Sequence, residues 1–223
     1  NADDLTSRKN TDIRLFALPA VFCVFFFQFF SLLFVFTANP SATTFVLHDI
    51  DCAKEIIEFP ALKLNPETLT VESTFQEFVK PVIHPELSDF CTKLTSITQH
   101  DVDNSGVFAE VLKRFNAWYE KEVGASSCLP ITCGDWDLKT MLPNQCRREG
   151  IPVPPALRQW HNLKKSYCAA TSVYCRSLTE MLHGLSLSFE GRLHRGIDDC
   201  RNINTIVVEL LKRGIVFNPT GRL

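Results

Sequence analysis

Four aspartates and one histidine have the types and spacing to do chemistry. His194 stands five residues before Asp199 in Gly191-Arg-Leu-His-Arg-Gly-Ile-Asp-Asp199. Asp199 opens an amphipathic run, Ile203, Ile206, Val207, Leu210 and Leu211, whose spacing predicts a helix closing at Gly214. A carboxylate at a helix start with a titratable imidazole just upstream can serve as metal ligand and base. The plainer reading is a surface histidine beside an N-capping aspartate. Far upstream, Asp49-Ile-Asp51 puts two carboxylates at i and i+2, on one side of a strand. Asp137 falls in Gly134-Asp-Trp-Asp137, a turn from an apolar strand into a helix. Ligands of α/β sheets collect at such strand ends, so Asp49, Asp51, Asp137 and Asp199 can converge on one site.

The elements that must position these residues follow in order. Residues 43–48 read as a buried strand running into Asp49. Residues 55–64 and 69–79 read as two further strands around the turn Asn65-Pro66-Glu67, an antiparallel hairpin. Residues 81–99 are loop-like, with Leu94 and Ile97 as anchors. Asn104 or Ser105 can cap a helix through Val107, Phe108, Val111, Leu112, Phe115 and Trp118 that ends at Gly124. Residues 129–132 read as a short strand, 138–148 as a helix, 160–163 as a last strand or an extended segment and 178–182 as part of a helix. Trp136 and Trp160 read as core. Strands mixed with helices in this order predict an α/β fold with a mixed sheet flanked by helices.

Composition bounds the rest. The 223 residues suffice for one substantial domain plus an appendage. The net charge of −2 does not by itself suggest a nucleic-acid partner. Its distribution says more: residues 49–146 hold 16 acidic and 8 basic side chains, whereas 147–223 hold 12 basic and 6 acidic. An acidic half followed by a basic half fits a metal–phosphate site between them, or ordinary solvated surface. The nine cysteines are odd in number and contain no Cys-x-x-Cys, which reads as reduced thiols of a cytoplasmic or nuclear protein. An opening Asn is expected of a fragment or processed product. Residues 1–42 stand apart: a polar start, then residues 15–38 with no charge and nine phenylalanines. That run is long enough to cross a bilayer, with Arg8, Lys9 and Arg14 on its N-terminal side. It reads either as a membrane anchor or as sequence foreign to the domain, such as translated non-coding sequence.

The ordered set Asp49-x-Asp51, Trp136-Asp137 and His194-x4-Asp199 resembles the DEDDh family of 3′–5′ exonucleases. Glu55-Ile-Ile-Glu-Phe-Pro60, Leu87-Ser-Asp-Phe-Cys-Thr-Lys-Leu-Thr-Ser-Ile-Thr-Gln99, Asn162-Leu-Lys-Lys165 and the His194 stretch are similar to the Eri-type exoribonuclease branch. The resemblance runs from Ala53 to about Phe217. It implies a ribonuclease H-like exonuclease domain over 43–217 with a tail at 218–223. It also implies His194 as general base, Asp137 and Asp199 as metal ligands, and two Mg²⁺ or Mn²⁺ ions. Hydrolysis would release nucleoside 5′-monophosphates from single-stranded RNA 3′ ends. Asp135, two residues before Asp137, and Asp198, directly before Asp199, are the rivals, and the motif favours Asp137 and Asp199.

The first motif departs from the family pattern. Asp51 stands where the family has glutamate, one methylene longer, and only three residues separate it from Glu55. Asp49 and Asp51 thus complete the metal site, or motif one is altered and the chain is an RNA- or protein-binding module on the exonuclease fold. Lys164, Lys165, Arg192 and Arg195 are the candidate contacts to an RNA backbone.

Overall fold

The protein is described by a computed structural model that covers residues 21–25, 28–29 and 55–223. Residues 43–48, Asp49 and Asp51 lie outside the described residues. The expected hairpin is present: β3 (Ile56–Asn65) and β4 (Thr70–Phe78) pair antiparallel, from Glu58 opposite Phe78 to Asn65 opposite Thr70. Asn65 makes the turn, its Oδ1 accepting from the N–H groups of Glu67 and Thr68 at 2.9 and 3.1 Å. On the other side of β3 lies β1 (Val21–Phe25), antiparallel to β3 and parallel to β5 (Cys128–Thr132). β2 (Gln28–Phe29) also pairs with β3. β6 (Gln159–Asn162) runs parallel to β5, and β7 (Gly221–Arg222) antiparallel to β6. The sheet is therefore mixed, as the sequence predicts.

Helices cover both faces because β3 alternates. Phe59 and Ala61 join one core with Phe75 and with Val111, Leu112 and Phe115 of α3 (Phe108–Glu122). Leu62 and Leu64, pointing the other way, join a second core with Ile203, Ile206, Val207 and Leu210 of α7 (Gly196–Lys212).

Residues 15–38 are the main departure. The expectation set this run apart as an extension, yet residues 21–25 of it form an interior strand, bonded to neighbours on both sides. A continuous apolar run of Val and Phe suits a buried strand as well as a buried helix, and periodicity does not separate the two. Among the described residues no helix is long and apolar enough to cross a membrane.

Smaller departures have local causes. Two short helices enter here: α1 (Asp89–Thr95) lies within the expected loop, and α2 (Gln99–Asp103) begins at its last residue. The Ser88 hydroxyl caps the first, and Thr98 with Asp101 forms a capping box on the second. Ile97 between them is fully buried, the anchor it was expected to be. Helix α3 starts at Phe108, later than a cap at Asn104 or Ser105 implies, and Val107 before it makes no side-chain cap. Helix α4 (Leu142–Arg148) follows a π turn, and α5 (Leu163–Thr171) was not foreseen. Helix α6 (Leu178–Gly184) matches its expectation closely. Helix α7 starts at Gly196, ahead of Asp199. Cys91, Cys133, Cys146, Cys168 and Cys175 are thiols outside any disulfide.

Candidate active site

Three of the residues singled out for chemistry meet in one cavity. Asp137, His194 and Asp199 line a space of about 480 Å³, with Cys133, Trp136, Lys164, Arg176, Ser177 and Leu193 among its other walls. Each is delivered by a different device.

Asp137 is the first residue of a π turn, Asp137–Met141, in which the Leu142 N–H bonds back to the Asp137 carbonyl. Pro143 follows at the start of α4. Its ring would press on the carbonyl four residues back in a regular helix, and the wider turn accommodates it. Such turns recur at functional sites. The Asp137 side chain is 5% exposed.

The rival Asp135 has other work. It accepts from Trp160 Nε1 and Asn162 Nδ2, both at 2.9 Å, tying the end of β5 to β6. Asp135→Ala leaves both donors without their acceptor. It should lower unfolding free energy by about 1–3 kcal/mol, measured by urea denaturation; an unchanged midpoint would remove this assignment.

His194 sits in a tight turn with φ +67, a conformation uncommon outside glycine but tolerated by histidine. Gly191, at φ +82, allows the turn, because a Cβ there would lie 2.6 Å from Asp198 Cγ. Asp198, the other rival, closes it by accepting from the Arg192 N–H at 3.0 Å and pairs with Arg201 at 2.8 Å. Burial shifts His194 below the ordinary histidine pKa, since a desolvated imidazolium is disfavoured. The neutral form that can accept a proton is thereby favoured.

Asp199, on the first turn of α7, is 1% exposed, and neither carboxylate oxygen has a hydrogen-bond partner. Burial pushes its pKa up to about 8. The His194 backbone N–H, oriented toward it without the geometry of a full bond, works against that rise; Glu58, Asp198 and Asp137 add to it. A buried, unpartnered carboxylate is an unfavourable arrangement, and a divalent cation is the kind of group that resolves it. The donor set therefore fits a metal ion. Among the described residues, however, no cluster of three or more Asp, Glu, His or Cys could hold one. Asp137 and Asp199 would need further oxygens, and Asp49 and Asp51 lie outside the described residues. Strand β1 carries no carboxylate.

The four basic residues do not form one set. Lys164 is in the cavity wall, its Nζ donating to the Arg176 carbonyl at 2.5 Å. Lys165 instead donates to Thr220 O at 3.0 Å and ties down the C-terminal tail. Arg192 donates to Lys93 O. Arg195 is stacked on Phe78 and lies near Glu58. Charge alone does not reveal that a cation is spent on a backbone carbonyl. Two wall residues had no such reading: Arg176, between α5 and α6, and Trp136, expected in the core but 41% exposed. Trp160 is buried as expected.

A mixed sheet with Asp137 in the turn after β5, and His194 and Asp199 at the start of α7, defines the class. The exonuclease family model of RNase T matches residues 44–207, a span that includes Asp49, Asp51, Asp137, His194 and Asp199. The chain belongs to this family, in its DEDDh group. It is 47% identical over 173 residues to human ERI1 exoribonuclease 3, covering 76% of this chain and 51% of that protein. It is 42% identical over 164 residues to human 3′-5′ exoribonuclease 1, covering 72% and 47%. The chain thus spans about half the length of these relatives. Its fold matches the nuclease domain of 3′hExo, a DEDDh family member bound to rAMP, with a TM-score of 0.80 and 35% identity, covering 93% of this chain and 99% of that one. A 3′-exonuclease that recognises the histone mRNA stem-loop superposes with the same TM-score at 32% identity, covering 93% and 88%.

Proposed function

We propose that the chain is a metal-dependent 3′–5′ exoribonuclease that removes nucleoside 5′-monophosphates from single-stranded RNA 3′ ends. The observation that carries this is the pairing of a buried, unpartnered Asp199 carboxylate with a largely neutral His194 in one cavity. Asp137 and Asp199, with Asp49 and Asp51, would hold two Mg²⁺ or Mn²⁺ ions. Bound there, such ions lower the pKa of water and stabilise charge on a departing oxygen. His194 takes the proton of the attacking water as general base. Lys164 and Arg176 place positive charge where a phosphate backbone enters. Trp136 and Leu193, exposed at the rim, offer apolar surface to a base. The RNA preference is supported by the similarity to exoribonucleases.

The test is direct. A 5′-labelled single-stranded RNA incubated with the protein and Mg²⁺ should shorten stepwise from its 3′ end, releasing 5′-monophosphates, and EDTA should halt it. A folded protein that leaves the RNA intact under these conditions would sink the proposal. A second reading, a binding module without turnover, is favoured by one observation: β1 brings no carboxylate beside Asp137 and Asp199. RNA retention without cleavage, together with no heat of Mn²⁺ binding in calorimetry, would favour it.

A further inference from the structure

Helix α7 begins without a side-chain cap from Arg195, the residue before it. The first N–H groups of a helix need acceptors, and here one comes from across the sheet. Glu58 of β3, fully buried, accepts from the Gly196 N–H through Oε2 at 2.8 Å and from the Ile197 N–H through Oε1 at 3.4 Å. Gln76 Nε2 on β4 donates to the same Oε1 at 2.8 Å. Arg195 Nε is 3.6 Å from this carboxylate. The guanidinium is itself held: it lies 4.8 Å from the centre of the Phe78 ring, and Nη1 reaches Ser96 O at 3.4 Å.

The close approach depends on glycine. A Cβ at position 196 would lie 2.9 Å from Glu58 Oε2 and 3.1 Å from Pro60 Cγ. A carboxylate in a sheet interior is unfavourable unless bonds compensate. Burial raises the Glu58 pKa, and the Arg195 charge and the Gly196 N–H are the leading effects that oppose it. An apolar side chain would fill this interior position without that penalty, so the carboxylate calls for a reason beyond packing. The reason lies in what flanks Gly196. His194 is two residues before it, in a left-handed conformation that persists only where the surroundings impose it. Asp199 is three residues after. Glu58 itself is not part of the cavity wall.

We propose that Glu58 is a positioning residue. By accepting the Gly196 and Ile197 N–H groups, with Arg195 clamped against it, it fixes the start of α7 and the bend that presents His194 and Asp199 to the cavity. The clamp is a statement about geometry; its catalytic consequence rests on the exoribonuclease reading.

The experiment compares Glu58→Ala, Glu58→Gln and Gly196→Ala in the full chain, each first checked for folding by thermal melting. Glu58→Ala should lower kcat about 100-fold while KM stays within about threefold, the signature of misplaced groups rather than lost binding. Glu58→Gln keeps a carbonyl acceptor for Gly196 and should recover to within about tenfold of the parent. Gly196→Ala, which leaves the carboxylate in place but forces the helix start away, should behave as Glu58→Ala does. A readout independent of catalysis accompanies these: amide exchange at Gly196 and Ile197 should quicken in Glu58→Ala, and the His194 imidazole carbon–proton resonance should move. Glu58→Gln should return both toward their original values.

A folded Glu58→Ala with parental kcat and an unmoved His194 resonance overturns the proposal. So does a Glu58→Gln as damaged as Glu58→Ala in both readouts. Should Glu58→Ala not fold, parental values in Glu58→Gln and Gly196→Ala together overturn it. If the parent itself cleaves no RNA, the exchange and resonance measurements still decide the clamp, and the failure belongs to the exoribonuclease reading alone.

Discussion

Replacing Asp199 with asparagine is expected to reduce RNA hydrolysis by about a thousandfold or more while raising the stability of the metal-free protein at pH 8. The two effects share one cause. The Asp199 carboxylate is buried without hydrogen-bond partners, and its pKa is pushed from 3.8 to about 8. Between those values the folded chain retains a proton that the unfolded chain has released. Stability from this group is therefore full below pH 3.8 and declines, by about 1.4 kcal/mol per pH unit, until pH 8. Asparagine carries no charge to desolvate. Its own unsatisfied amide costs about 1–3 kcal/mol, less than the several kcal/mol the carboxylate costs at pH 8. Near pH 5, where the acid is largely protonated, the amide has little left to gain. Calorimetry in EDTA should thus show Asp199→Asn melting above the parent at pH 8 and close to it at pH 5. Adding Mg²⁺ should raise the melting temperature of the parent, because a ligand that binds only the folded state stabilises it, and should leave the variant unmoved. A variant that melts below the parent at pH 8 in EDTA would show that Asp199 has a partner in the folded chain.

Which of these relations were legible in the sequence depends on how local their causes are. The β3–β4 hairpin and the body of α7 announce themselves because alternation and helical spacing are properties of neighbouring residues. Helices α1 and α2 are only seven and five residues long, too short for periodicity to register; their signal was the caps, Ser88 and the pair Thr98 and Asp101. Helix α5 likewise begins at Asn162, whose Oδ1 accepts from the Lys164 N–H at 3.1 Å directly at the end of a strand. For the site, motif spacing favours Asp137 over Asp135 two residues before it, and Asp199 over the adjacent Asp198. The physical reason is tertiary: Asp135 and Asp198 are occupied by Trp160, Asn162, Arg192 and Arg201.

The same limit explains what residue type and charge leave out. Trp136 looks like core by its type, yet its exposure is set by where the β5–α4 connection emerges. Lys165, Arg192 and Arg195 look like phosphate contacts by their charge, and only the fold reveals the carbonyls, the ring and the carboxylate they meet. Arg176 follows Asp137 by dozens of residues with no spacing rule to connect them. The apolar run containing Val21–Phe25 is ambiguous by nature, since helix and strand can both bury it.

His194 offers the cleaner test of catalysis, because asparagine can replace it without disturbing the turn. The residue lies at φ +67, a region that asparagine tolerates better than most side chains. His194→Asn should therefore keep the parental melting temperature and RNA affinity while kcat falls by about 10²–10⁴-fold, the usual contribution of a general base. The pH profile identifies the group. Burial holds the His194 pKa below 6.5, so the rate of the parent should rise with pH through a midpoint under 6.5 as the imidazole loses its proton. Asp199 can produce an acid limb of its own, since protons and divalent cations compete for its carboxylate. The two limbs respond differently to metal: raising Mg²⁺ tenfold moves a limb that belongs to Asp199 and leaves one that belongs to His194 in place. An acid limb that is insensitive to Mg²⁺ in the parent and absent from His194→Asn assigns the base to His194. A limb of the same midpoint in both proteins would remove His194 from that role, leaving the Asp137 and Asp199 pair to act on water whose proton departs by another route.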